Sequence, residues 1–113
     1  MNFSSTLSIT LTSLLYYVPV PPQVEVTPSQ LSVNHGSSFR LFCLVRPSLP
    51  VKWSKVNGSI PSGSKQEEGT LIVDQVEVEH MGQYRCHASN AAGSSEGFTK
   101  VIVFGKDFQF DDI

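Results

Sequence analysis

Short segments of alternating apolar and polar residues make up most of the chain from residue 23 to residue 103. A period of two is typical of β-strands that turn one face to a core and the other to solvent. Clusters of Gly, Pro, Asn and Ser separate these segments and indicate turns. The alternating segments are QVEVTP, LSVNHG, SFRLFCLV, VKWSKV, GTLIVDQV, QYRCHA and TKVIV. Several short strands at this spacing predict an all-β antiparallel sandwich or barrel. The segment VEVEHMG, residues 76–82, is expected to form at most one helical turn.

Both ends of the chain depart from this pattern. Residues 1–22 carry no charged side chain and are rich in Ser, Thr and Leu. One hypothesis is a weak signal peptide with residues 7–18 as its apolar middle, although the usual basic start and Ala-x-Ala cleavage pattern are missing. The other is a disordered lead-in or the start of a chain fragment. We therefore predict a leader at 1–22, one domain at 23–105, and an acidic tail or linker at 106–113.

The two cysteines, Cys43 and Cys86, lie at inward positions of two predicted strands. Their spacing to each other and to the histidines matches no common zinc site, which leaves two buried thiols or one disulfide. A bridge would close a loop of about 43 residues, for which chain entropy gives roughly 4 kcal/mol of stabilisation. That magnitude favours the disulfide, and a disulfide indicates an oxidising compartment.

Composition narrows the class of protein further. The chain has 113 residues, of which 40% are hydrophobic and 16% charged, so one domain with a packed core is expected. The net charge of −2 argues against nucleic acid as the main partner. No run of 18 apolar residues is present, so we expect no membrane insertion.

An inward Cys43, an inward Trp53, and Tyr84 two residues before an inward Cys86 together resemble the core of the immunoglobulin fold. The stretch LIVDQVEVEHMGQYRCHASNAAG, residues 71–93, is similar to the I-set branch of that family. About 17 residues separate Trp53 from Leu71, too few for the two extra strands of a variable domain. The segments TPSQLSV, LPVKWSKVNGSIPSG and GQYRCHASNAAGS resemble immunoglobulin repeats of the perlecan type, which occur in basement-membrane heparan sulfate proteoglycans.

This resemblance implies an immunoglobulin-like antiparallel β-sandwich of the I-set/C2 type with Greek-key connections. It also implies a Cys43–Cys86 disulfide between the sheets, with Trp53 packed on it and Leu71 in the same core. The hydroxyl of Tyr84 would bond back to the chain just upstream, as a tyrosine corner. His80 stands where the family usually has an Asp, which often pairs with a basic residue, and Lys65 is the nearest candidate to face the imidazole.

We expect no catalytic site, cofactor or metal site. The chain contains no Gly-rich phosphate loop, His-Glu-x-x-His motif or nucleophile elbow, and its three histidines lie in separate predicted elements.

Two surfaces are candidates for binding. Strand parity turns Lys52, Arg85, His87 and Lys100 to one outer face, a mixed basic and apolar patch suited to a protein or a sulfated glycan. The alternative is an ordinary solvated face. The opposite sheet exposes Phe42, Leu44 and Ile72, either to a neighbouring domain or as isolated surface apolar residues.

Two segments match the acceptor pattern for N-glycosylation. Asn57-Gly58-Ser59 lies in a predicted loop, although Asn-Gly is also a good tight turn. Asn2-Phe3-Ser4 also matches, but it lies in the predicted leader.

The resemblance implies a non-catalytic module of a secreted extracellular matrix protein that acts as a spacer and a protein-binding surface. Its expected partners are matrix or cell-surface proteins, neighbouring immunoglobulin modules in tandem and, as a further option, sulfated glycans. The alternatives are an ectodomain module of an adhesion or receptor protein, and an intracellular muscle module in which the cysteines stay reduced.

Overall fold

The computed structural model describes residues 20–105 and contains eight β-strands in that range. A single 3₁₀ turn, Val78–His80, lies within the segment expected to form at most one helical turn. The predicted tail and all but the last three residues of the predicted leader lie outside the described residues. The strands are β1 (Gln23–Thr27), β2 (Gln30–Asn34), β3 (Phe39–Arg46), β4 (Lys52–Lys55), β5 (Lys65–Glu67), β6 (Thr70–Val73), β7 (Gly82–Asn90) and β8 (Gly93–Phe104).

The strands form two four-stranded sheets, ordered β1-β3-β6-β5 and β2-β8-β7-β4. The first two strands belong to different sheets. Strand β1 runs antiparallel to β3 at the edge of the first sheet; after Pro28 the chain crosses to the second sheet, where β2 runs parallel to β8. Residues 56–64 connect β4 directly to β5, which pairs with β6. The predicted immunoglobulin-like sandwich is therefore confirmed, and this connection contains no additional strand.

The core lies between the sheets and consists of the inward residues of the alternating segments. A disulfide joins Cys43 on β3 to Cys86 on β7, with their Cα atoms 6.4 Å apart. Trp53 lies directly beside Cys86 in the β4–β7 pairing and is 2% exposed. Its indole nitrogen donates a hydrogen bond of 3.0 Å to the carbonyl oxygen of Gly69, in the turn between β5 and β6. Leu71 is fully buried in the same cluster.

A corner at the start of β7 fixes the buried Tyr84. Its hydroxyl donates a 2.6 Å hydrogen bond to the carbonyl of His80, and its ring meets Phe39 edge to face at 5.9 Å. The imidazole of His80 accepts the backbone N–H of Glu77 through Nδ1 at 2.9 Å. Within residues 20–105 no hydrogen bond joins His80 to Lys65, and the histidine instead holds the turn that supplies the carbonyl to Tyr84.

Gly97 allows strands of opposite sheets to approach closely. It lies on β8 opposite Cys86, and a Cβ there would sit 2.7 Å from Val26 Cγ2 and 3.1 Å from Val24 Cγ1, both on β1. Real Cβ atoms do not make contacts as short as 2.7 Å, so any larger residue must displace the Val26 side chain or move β1 away from β8.

Replacing Gly97 by Ala should therefore lower the free energy of unfolding by about 1–3 kcal/mol through overpacking. Gly58→Ala is the matched control, because its Cβ would meet only the flexible side chain of Lys55, with the nearest atom at 3.4 Å. We expect that control to change stability by less than about 0.5 kcal/mol in the same urea titration. Equal midpoints for the two variants would contradict the role given to Gly97.

Replacing Tyr84 by Phe removes the hydroxyl donor and should lower the free energy of unfolding by about 1 kcal/mol at neutral pH.

Burial raises the pKa of Tyr84 from 10.0 to about 12. The phenol therefore keeps its proton in the folded chain at pH values where it ionises in the unfolded chain. The parent chain should lose stability from this group as pH rises from about 10 to about 12, and the Phe variant should lack this loss. Urea unfolding across that range measures the effect, and a constant difference between the two proteins up to pH 12 would refute it.

Candidate functional site

The outward side chains of β4, β7 and β8 form three successive rows, which we call the β4–β7–β8 face. The first row contains Lys52, His87 and Glu96; the second contains Ser54, Arg85 and Phe98; the third contains Gln83 and Lys100. Rows on one face are two residues apart along each strand, or about 7 Å. The inward residues Trp53, Cys86 and Val101 fix this parity, because successive side chains point to opposite faces.

The structure places three of the four predicted binding residues around one open groove of about 400 Å³. Lys52, Arg85 and His87 line it together with Ser54 and Glu96. Lys100 does not line the groove. It lies in the next row, opposite Gln83 and beyond the row of Arg85.

Glu96 changes the electrostatics of this groove. Its carboxylate lies 3.2 Å from Nη1 of Arg85, whose Nε also donates to the hydroxyl of Ser54 at 3.1 Å. The face therefore presents three cationic side chains and one carboxylate, rather than an unbroken basic surface. Both members of the ion pair remain partly exposed, so the pair contributes about 0–1 kcal/mol.

Sequence reasoning missed Glu96 because it treated residues 90–95 as a loop and began the last strand at Thr99. In the structure β8 begins at Gly93. The signal was present, since Ser94, Glu96, Phe98 and Lys100 continue the outward alternation without a break.

The opposite sheet exposes an apolar pair on β3. Phe42 is 47% and Leu44 is 48% exposed, while Ile72 on β6 is half-buried. Leu44 lies opposite Glu25 on β1, and Phe42 lies opposite Thr70 on β6. The exposed positions of Phe42 and Leu44 agree with the alternation along β3.

The imidazoles of two of the three histidines contact Glu77, one through its carboxylate and the other through its backbone N–H. His35 Nε2 lies 2.8 Å from Glu77 Oε2, and the backbone N–H of Glu77 donates to His80. Strand alternation could not show this, because both histidines lie in connections between strands. Within residues 20–105, the side chain of His35 hydrogen-bonds only to Glu77.

Asn57 occupies an exposed turn after β4 and has a left-handed backbone conformation, with φ of 62°. The turn is closed by a 3.3 Å bond from the N–H of Gly58 to the carbonyl of Lys55. The predicted acceptor Asn57 is thus accessible in the structure, and Ser59 is also exposed.

No helix within residues 20–105 is long and apolar enough to cross a membrane. In the same residues, no three His, Cys, Asp or Glu side chains come together in a way that could hold a metal ion.

Comparison with known proteins agrees with this architecture. Residues 21–90 match the immunoglobulin domain family. The chain is 30% identical, over 98% of its length, to the basement membrane-specific heparan sulfate proteoglycan core protein of Mus musculus, of which it covers 3%. It is 32% identical, over 74% of its length, to the neural cell adhesion molecule L1-like protein of Homo sapiens, of which it covers 7%.

Among solved structures, the chain is similar to the I-band fragment I67–I69 of titin. The match has a TM-score of 0.64 and 30% identity, and it covers 78% of this chain and 34% of the titin fragment. The chain thus spans only a small part of the length of its curated relatives, which are matrix and cell-adhesion proteins. Its sandwich, its cross-sheet disulfide and the match over residues 21–90 lead to one conclusion: this chain belongs to the immunoglobulin domain family.

Proposed function

We propose that this chain is a non-catalytic module of a secreted, basement-membrane proteoglycan-like matrix protein, serving as a spacer and a protein-binding surface. The observation that carries the proposal is the β4–β7–β8 face, where cationic, anionic and apolar groups lie together on a rigid sheet. The similarity to matrix and adhesion proteins supports the extracellular setting.

The path of the chain suits a module in a tandem array. Asn90 Nδ2 donates to the carbonyl of Val20 at 2.7 Å, which fixes the start of the domain beside the β7–β8 turn. The last strand then runs twelve residues away from that turn to Phe104. At about 3.4 Å per residue, the two ends of the module lie roughly 37 Å apart. Neighbouring modules would therefore attach at opposite ends and leave the sheet faces open.

The charges on the face favour a protein partner over a sulfated glycan. A polyanion would meet the carboxylate of Glu96 beside Arg85, and like charges at that distance disfavour binding. A protein can instead present a carboxylate to Arg85 and a donor to Glu96. Phe98, which is 44% exposed in the same row as Arg85, adds apolar area that a protein can cover.

The test uses a charge-matched pair of triple variants. Lys52→Ala, Arg85→Ala and Lys100→Ala together should weaken binding of the secreted chain to immobilised basement-membrane matrix about tenfold or more, because they remove the central cations. The control triple replaces Arg40, Arg46 and Lys65 on the opposite sheet and causes the same change in net charge. Equal loss in both triples would show that only net charge matters and would reject the face. Strong retention on heparin that depends on the first triple alone would instead support the sulfated-glycan alternative.

Asn57 is proposed to carry an N-linked glycan, because it is an exposed acceptor in a turn that projects from the edge strand β4. The intact mass of the chain secreted by mammalian cells should exceed the mass of the bare chain by the mass of a glycan. A bare mass would reject the glycan.

The same secreted chain should show two fewer reactive thiols than the reduced chain, as expected for the bridge between Cys43 and Cys86. Free thiols in a natively folded product would favour the intracellular alternative.

A further inference from the structure

The Asn57 turn has a second chemical property that does not depend on any glycan. The residue that follows is Gly58, which has no side chain to shield its backbone nitrogen. Gly58 N–H bonds to Lys55 O at 3.3 Å, the longest of the backbone hydrogen bonds in the loops and turns of residues 20–105. Asn57 has φ of 62°, a conformation that costs free energy for a residue other than Gly. We therefore expect this turn to open more readily than a turn that is closed by a shorter bond.

The other asparagines of the described residues provide internal comparisons. Asn90 donates from Nδ2 to Val20 O, and its Oδ1 accepts the N–H of Ala92. The nitrogen that follows Asn34 belongs to His35 and is held by the carbonyl of Phe104 at 2.8 Å. Asn57, by contrast, has no side-chain hydrogen bond within residues 20–105. Of the three, it alone combines an unanchored amide with a weakly held following nitrogen.

We infer that Asn57 is a site of spontaneous deamidation in the folded module. The backbone nitrogen of Gly58 attacks Cγ of Asn57 and forms a new C–N bond. The proton of that nitrogen passes to the departing Nδ2, which leaves as ammonia, and a five-membered succinimide remains. Water then opens either carbonyl of the ring and gives aspartate or isoaspartate. The sum at neutral pH is amide plus water to carboxylate plus ammonium, with no change of oxidation state.

The product changes the surface in two ways. Deamidation removes Nδ2, the atom to which an N-linked glycan attaches, so one chain cannot undergo both modifications at this residue. It also adds a negative charge beside the basic face, because Val56 bonds to Gln83 O and Gln83 lies opposite Lys100. An unglycosylated module would thus slowly lose positive potential at the edge of the β4–β7–β8 face.

Two neighbouring substitutions separate this chemistry from glycosylation. Ser59→Ala destroys the acceptor sequence and keeps Asn-Gly. Gly58→Ala keeps the acceptor sequence as Asn-Ala-Ser, and its added methyl shields the attacking nitrogen. The Gly58 position accepts a Cβ, whose nearest neighbour would be Lys55 Cδ at 3.4 Å. Both variants should therefore fold, and circular dichroism confirms that before the test.

The experiment incubates the folded, unglycosylated chain and both variants at neutral pH and maps their peptides by mass spectrometry. We expect an aspartate and isoaspartate doublet at position 57 in the parent chain and in Ser59→Ala, with loss of most of the amide there while Asn34 and Asn90 keep theirs. Gly58→Ala should retain its amide at position 57. Conversion at position 57 that is no faster than at Asn90, or that occurs only in urea-unfolded chain, would overturn the inference. Glycan found on Gly58→Ala but not on Ser59→Ala reports separately on the proposed glycosylation.

Discussion

Two donors from opposite sheets converge on a single acceptor, the carbonyl oxygen of Gly69. The backbone N–H of Cys43 reaches it from the first sheet at 3.1 Å, and the indole nitrogen of Trp53 reaches it from the second at 3.0 Å. A carbonyl has two lone pairs, so it can satisfy both donors. The residue at this position must be Gly, because its φ is +83° and a Cβ would lie 3.0 Å from the carbonyl oxygen of Cys43. With the disulfide beside it, this junction fixes the separation and alignment of the sheets.

The inward residues at this junction are also the reason that much of the sandwich could be predicted from the sequence. Once Cys43, Trp53 and Cys86 are inward, the period of two assigns every other residue of their strands to the core or to solvent. Phe42 and Leu44 were therefore expected outside the sandwich and are found there. The outward positions of Lys52 and Arg85 follow from the same parity, so the main candidate face could be predicted from the sequence alone.

Side-chain partners in turns and at strand ends could not be predicted in this way. His80 stands where the family usually has an acid, and periodicity does not show that its Nδ1 accepts the N–H of Glu77. The pairing of His35 with Glu77 spans 42 residues and depends on how two connections meet. Glu96 was missed for a different reason, since small residues at the start of β8 resemble a loop until the pairing of β7 with β8 is known. In each case the deciding information is a contact between segments, which a local pattern does not contain.

The Arg85–Glu96 pair bears most directly on which partners the proposed binding face would recognise. An exposed pair of this kind contributes about 0–1 kcal/mol, so a partner can break it at small cost. Arg85 is nevertheless held ready, because its Nε donates to Ser54 while Nη1 faces the carboxylate. A partner with only acidic groups could pair with Arg85, but its negative charges would then lie beside the carboxylate of Glu96. A partner with only basic groups could pair with Glu96, but its positive charges would lie beside Arg85. On the proposed binding face, the pair would therefore favour surfaces that carry both signs at matching spacing, which is a property of folded proteins rather than of uniform polyanions.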